Sequence, residues 1–360
     1  MTQQEYERYT SRPISQIRFD GATTVRAFIE TMAGSSYQVR ELGRALDVYD
    51  RMLSEERCVI FLALAGAMVP AGMRSLLVDL IESRLVDGIV STGANIIHDI
   101  VETIGQPHFR IDPTRVSDAT LGELKLNRVY DTVMPEEGFI TAEHIVLDLL
   151  GEMKQGHPYT TREFLHELGT LLVERGHARD KGMVTTMARE RLPFFCPAIA
   201  DSELGIDMLY GRWQRGQNVV IDTIADIGES SDVVWETHLA GGQVAVITVG
   251  GGTPRNFIQQ TAPCLDCAGR PYPGHKYAIG ITTDVPFWGG LSGSTFEEAE
   301  SWRKYNDPVH ATVRADATIV LPMLYAAQKE RIAQGFRRPS LPRFSYGADG
   351  DIGVEFVPTT

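Results

Sequence analysis

Lys304 closes a stretch, GGLSGSTFEEAESWRK from Gly289, that gathers an amine, a carboxylate, an indole and a glycine-rich turn. An amine forms an imine only as the free base, so a nucleophilic lysine needs burial or a second cation beside it. The turn Gly289-Gly290-Leu291-Ser292-Gly293 can bring backbone N–H groups close to a ligand, because glycine has no Cβ to block the approach. Thr295 with Glu298 reads as a capping box opening a helix. Glu298 and Trp302, four apart, share one face of it. The helix is expected to run to about Lys304, since Pro308 cannot continue it and biases Asp307 towards an extended backbone. Lys304 would then sit in the last turn, where the helix dipole favours its charged form. The competing reading is a surface lysine paired with Glu300 at i, i+4.

These residues need a scaffold, and the rest of the chain spells one. Two amphipathic helices, Thr23–Met32 and Tyr37–Leu53, precede the run CVIFLALA at Cys58–Ala65, which has the pattern of a strand covered on both faces. A helix is expected over Pro70–Arg84, a strand over Val86–Ser91, and then the turn Thr92-Gly93-Ala94-Asn95 into a helix carrying His98. Residues 106–140 read as an irregular excursion with a short strand near Arg128, followed by helices at 142–154, 160–175 and 181–191. Further strands are expected at Phe194–Ala200, Gln243–Val249, Tyr277–Thr283 and Val309–Arg314, with a last helix over 318–335. This alternation predicts an α/β fold with a single doubly wound, mostly parallel, Rossmann-like sheet and extra N-terminal helices. The division expected is a polar arm at 1–20, one domain at 21–337 and a polar tail at 338–360.

Such sheets bind ligands at the carboxyl ends of their strands, and small or acidic residues fall there repeatedly. Gly250-Gly251-Gly252 runs into Thr253-Pro254, a plausible helix start whose free N–H groups suit a pyrophosphate. Asp316 follows the last strand, where an acid can bond a ribose hydroxyl. Asp201 and Asp207 stand near the end of Phe194–Ala200; either they hold ribose or an ammonium, or Asp201 or Ser202 merely caps the next helix. Cys264 and Cys267 have half the spacing of a zinc site, but no second pair completes one, so no metal is expected. The net charge of −13 argues against nucleic acid and suits a cationic substrate. No apolar run is long enough to span a bilayer, the polar start is not a secretory signal, and four cysteines in 360 residues suggest a reducing compartment. A cytoplasmic protein is expected.

Taken together, the strand at Cys58, the turn at Thr92, the CPAIAD segment, the VGGG turn, the GGLSG…SWRK stretch and RADATIVLPML resemble the deoxyhypusine synthase family, in its order, over about Tyr37–Ala333. The resemblance implies NAD as cofactor, contacted by Thr92, Gly93, Asp201, Gly250, Gly251, Thr283, Ser292, Asp316 and Ala317. It implies a polyamine held by Asp207, Glu298 and Trp302, with the indole packing on the alkylammonium chain. The implied chemistry removes hydride beside the secondary amine of spermidine, captures the aminobutyl fragment on Lys304 as an imine, and returns the hydride after an acceptor amine displaces the lysine. A homotetramer with sites at dimer interfaces is implied as well.

The sequence departs from the family at telling positions. Asn256 stands where these enzymes place a histidine base, His98 where they place a glutamate, Gly66-Ala67 where they have a Ser-Asn pair, and Leu291 where they have an aspartate. Asn256 and His98 are kept as substrate-side candidates. These changes resemble the prokaryotic deoxyhypusine-synthase-like branch, some members of which pass the aminobutyl group to putrescine. A protein lysine on the hypusine-bearing translation factor is the alternative acceptor, and a non-catalytic NAD- or polyamine-binding protein is the alternative class.

Overall fold

The structure is a computed structural model that describes residues 2–177, 181–347 and 351–359. Its centre is a sheet of six parallel strands: β1 (Cys58–Leu64), β2 (Gly88–Ser91), β3 (Phe194–Phe195), β4 (Gln243–Val249), β5 (His275–Ile281) and β6 (Tyr305–Val313). The order is β6-β5-β4-β1-β2-β3, so the chain works outward in one direction from β1 and then restarts beside it at β4. Because every pairing is parallel, all carboxyl ends lie on one edge, with the topological switch between β1 and β4. β1 is buried along its whole length, as its unbroken apolar run requires in a sheet covered on both faces. The expected α/β, doubly wound architecture is the observed one.

Several local expectations give way to stronger local physics. The strand expected over Phe194–Ala200 stops at Phe195, because Pro197 lacks an N–H for the ladder and the chain curls, with Ile199 N–H donating to Cys196 O. The 106–140 excursion holds a three-stranded antiparallel sheet (109–110, 126–129, 132–135), and its last residues already belong to the helix Glu136–Glu152. The helix expected from Pro70 begins as a wide turn, Val69–Met73, in which Gly72 takes φ +85° before the regular helix Arg74–Glu82.

The stretch expected to trail off as a polar tail is instead an antiparallel hairpin, β7 (Ser340–Tyr346) with β8 (Ile352–Pro358); residues 348–350 and 360 lie outside the described residues. Arg338, just before β7, plugs it into the sheet. Its guanidinium donates to both carboxylate oxygens of fully buried Asp87, at 2.9 and 3.0 Å, and to Cys58 O at 2.6 Å. Asp87 also accepts from Arg84 and from Ile60 N–H, each at 3.0 Å, so its charge is fully enclosed by donors. Removing one partner of such a buried pair strands the other charge. Arg338→Met is therefore expected to cost about 3–5 kcal/mol of stability, measured by urea unfolding at neutral pH. Loss of under about 0.5 kcal/mol would show that the hairpin is an independent tail.

Candidate active site

The helix carrying Glu298 is shorter than its sequence suggests. It spans Phe296–Ser301, with Thr295 Oγ1 accepting from Glu298 N–H at 3.1 Å. Its end is set by Arg303, which adopts φ +55°: Arg303 N–H donates to Glu300 O at 2.8 Å and Lys304 N–H to Ala299 O at 3.2 Å. That pair is a Schellman motif, and it ends the helix before Pro308 has any say. Lys304 is thus not in the last helical turn. It lies between helix and sheet, where its carbonyl accepts from His275 N–H at the start of β5. Asp307, expected to be extended, takes φ +45° in a bulge of β6 and donates its N–H to Glu300. Glu300 is therefore turned towards Asp307, and the surface pairing with Lys304 does not form.

The lysine side chain turns inward. Its Nζ donates to Asn256 Oδ1 at 2.8 Å, in the second turn of the helix Gly252–Gln259. Burial pushes the Lys304 pKa down, the neighbouring Arg255 charge pushes the same way, and Glu298 opposes both. Asn256, Glu298, Trp302 and Lys304 line one cavity of about 460 Å³, together with Gln259, Gln260, Leu291 and Ser294. Glu298 and Trp302 are exposed at its rim, the indole at 65%.

Arg255 is the residue that sequence reasoning missed. It is buried, and its guanidinium donates to Ser294 O at 2.7 Å, Ser292 O at 3.2 Å and Leu291 O at 3.4 Å. The signal was present: a cation in the first turn of a helix opposes the dipole, so something else must hold it there. The segment it clamps divides two cavities, since Leu291 and Ser294 face Lys304 while Ser292 lines a second space of about 470 Å³.

This second cavity opens at the switch point, between the carboxyl ends of β1 and β4. Gly250, Thr283, Ser292, Asp316 and Ala317 line it, with Gly66 and Met68. Gly250 and Gly252 take φ +73° and +63°, and a Cβ on Gly251 would stand 2.3 Å from Ser292 Cα, so the turn is a bare-backbone cradle. The Gly66 turn is closed by Asn95, which donates to Gly66 O at 2.7 Å and accepts from Met68 N–H at 2.9 Å. Asp316 caps the helix Ala317–Ala333 through Thr318 N–H, which with the Thr318 hydroxyl holds its pKa low and its charge in place. A glycine cradle, a fixed carboxylate and a polar edge suit NAD.

Thr92, Gly93 and Asp201 lie on the same edge, at the ends of β2 and β3, outside both cavities. Gly93 packs on Ser202, where a Cβ would come within 2.2 Å of Oγ. Ser202 does not cap the helix Glu203–Arg215; its hydroxyl donates to Ile199 O. His98 is buried, with Nδ1 2.9 Å from His108 Nε2, and His108 in turn bonds Glu102. Burial and the facing His108 push the His98 pKa down to about 4. Asp207 does not join the Lys304 cavity. It is fully buried in Glu203–Arg215, both oxygens without a hydrogen-bond partner among the described residues. Burial, with Glu203 and Glu143, pushes its pKa up to about 8.

The family model "Deoxyhypusine synthase" matches residues 27–328. The chain belongs to the deoxyhypusine synthase family. It is 39% identical to Probable deoxyhypusine synthase 2 of Methanosarcina mazei, covering 93% of this chain and 94% of that one. A deoxyhypusine synthase-like protein of Coxiella burnetii is 33% identical over 93% of this chain and 92% of its own. The crystal structure assigned to a deoxyhypusine synthase of Entamoeba histolytica shares the fold, with a TM-score of 0.58 at 16% identity, covering 87% of this chain and 96% of that one. Family membership makes the chain a transferase, with aminobutyl transfer as the broad reaction class. Asn256 anchors the lysine.

Two measurements check this geometry. Arg255→Met removes the second cation and the clamp, so the pH dependence of Lys304 acylation by an amine-selective reagent, read by peptide mass spectrometry, is expected to move to higher pH. An unchanged profile would show that Arg255 does not act on the lysine. Asp207 folds with a pKa raised from its ordinary 3.8, so its contribution to stability is full below pH 3.8 and is lost as pH rises to about 8. Asp207→Asn is therefore expected to stabilise the protein by a margin that grows from pH 4 to 8 and reaches several kcal/mol at the top, read as a widening Tm difference from the parent. A pH-independent difference would show that the carboxyl is already paired.

Proposed function

We propose that the protein is an NAD-dependent aminobutyl transferase that moves the 4-aminobutyl group of spermidine, through an imine on Lys304, to a small diamine such as putrescine. The observation that carries this is the state of Lys304: held off the helix end, half-buried and bonded to neutral Asn256 rather than to a carboxylate. A lysine placed against burial and a guanidinium gives up its proton more readily than a surface one, which a nucleophilic amine needs.

Glu298 at the rim suits the distal ammonium of the polyamine, and Trp302 flanks its methylene chain. Gly250, Gly251, Thr283, Ser292, Asp316 and Ala317 would hold NAD at the switch point, with Thr92, Gly93 and Asp201 along the same edge. Bound there, NAD supplies reversible hydride acceptance, so that the transfer is redox-neutral overall. Lys304, as the free amine, adds to the imine carbon of the four-carbon fragment, and diaminopropane leaves with its nitrogen and a proton. The acceptor amine then adds to the Lys304 imine and displaces the lysine, which recovers its own proton. Asn256 cannot take that proton at neutral pH; its amide oxygen orients Nζ for attack. His98 and Asp207, outside the cavity in a single chain, carry no step in this scheme.

A protein lysine as acceptor is the second reading, favoured by the name of the Methanosarcina mazei relative, whose identity exceeds that of the Coxiella burnetii protein. Exposed apolar side chains beside the cavities, Phe287, Trp288, Leu291 and Trp302, support coverage by further copies, as in a homotetramer. Incubation with spermidine and NAD followed by borohydride is expected to add an aminobutyl mass to the peptide containing Lys304. With putrescine present the product is expected to be homospermidine, and Lys304→Arg is expected to abolish both, because guanidinium stays protonated. A Lys304→Arg variant that still transfers the group would end this mechanism.

A further inference from the structure

The helix Phe296–Ser301 has a second face with its own cavity. Glu298 looks onto the Lys304 space, whereas Glu297 and Thr295 look onto a separate hollow of about 250 Å³ between the start of the helix Tyr37–Ser54 and the edge strand β6. Three guanidiniums, Arg40, Arg44 and Arg314, line it in a chain whose net charge is −13. They outnumber the acids facing them. Glu41 is shared, at 3.1 Å from Arg44 and 3.5 Å from Arg40, and Glu297 lies 3.4 Å from His310, with the Arg314 charge also acting on it. Arg314 makes no side-chain hydrogen bond and no close ion pair among the described residues; only its backbone N–H is used, donating to Gln38 Oε1. His310 Nδ1 is buried without a partner among the described residues.

The neutral groups add to the same imbalance. Thr312 lines the hollow, and the Gln38 amide, whose oxygen accepts from Arg314 N–H, keeps its N–H donors for a ligand. Many donors facing few acceptors call for a ligand that is almost entirely acceptor. Guanidinium forks match tetrahedral and planar oxyanions alike, but a phosphate has enough oxygens to satisfy three of them. The geometry points to a binding site for a phosphate group, free or as a small monoester, held by Arg40, Arg44 and Arg314 on the far side of the helix that carries Glu298. This site is separate from the glycine cradle and does not depend on the reading of Lys304.

The test is titration of the full chain with inorganic phosphate by calorimetry, against sodium chloride at equal ionic strength and against acetate. Saturable phosphate binding is expected, stronger than that of acetate. Arg314→Gln and Arg40→Gln are each expected to weaken it about tenfold, the size of one charge-assisted hydrogen bond. Glu297→Gln is expected to strengthen it, since it removes a negative charge from the wall. Should Arg314→Gln fail to fold, Arg40→Gln decides, because that side chain is half exposed and makes one long ion pair. Absence of saturable binding, acetate binding as tight as phosphate, or undiminished affinity in the arginine variants would each overturn the assignment. The last outcome would place any bound phosphate at the Gly250 turn instead.

Discussion

Arg255 leaves the first turn of its helix, where its charge is unfavourable, and crosses to three carbonyls of the segment between the two cavities. Much of the site depends on that crossing. The segment is held against the Gly250 turn closely enough that Gly251 can carry no side chain, which fixes one wall of the switch-point cavity. The same guanidinium lies near enough to Lys304 to disfavour a second positive charge. One buried cation thus shapes the switch-point cavity and biases the protonation of the amine beside it.

Lys304 shows how opposing terms are settled. A helix C-terminus favours a cation by about 0.3–1 kcal/mol, and the effect fades within a turn. The Schellman turn at Arg303 takes the side chain out of that field and into a half-buried position, where desolvation dominates. Asn256 then offers an acceptor without a countercharge. A carboxylate there would hold the lysine protonated, whereas an amide oxygen orients it without stabilising the charge to the same degree.

Two buried acids mark different uses of the same physics. Asp87 is enclosed by Arg338, Arg84 and a backbone N–H, and ties the C-terminal hairpin to β1 and β2. Asp207 is enclosed by nothing that donates among the described residues and stands with Glu203 and Glu143, so its burial favours the neutral acid. The first contributes to stability as an ion pair; the second opposes it as pH rises.

The sequence by itself determined the sheet, because short apolar runs bounded by turns, such as CVIFLALA, have the length and pattern of strands covered on both faces, and it determined the edge on which the glycine and acidic turns converge. Short-range chemistry also gave the Thr295 cap, since a cap depends on residues three apart. It did not give the end of the Lys304 helix, where Arg303, a non-glycine residue, is held in the left-handed region by the anchoring of Lys304 to β5 rather than by its own preference. Nor did it give the hairpin at the C-terminus, which exists because Arg338 meets Asp87 across the molecule. The partners of Arg255 and the isolation of Asp207 from Lys304 were likewise decided only in three dimensions. Hydrogen bonds and desolvation act between side chains that are neighbours in space, and separations of tens or hundreds of residues leave no periodic trace in the sequence to announce them.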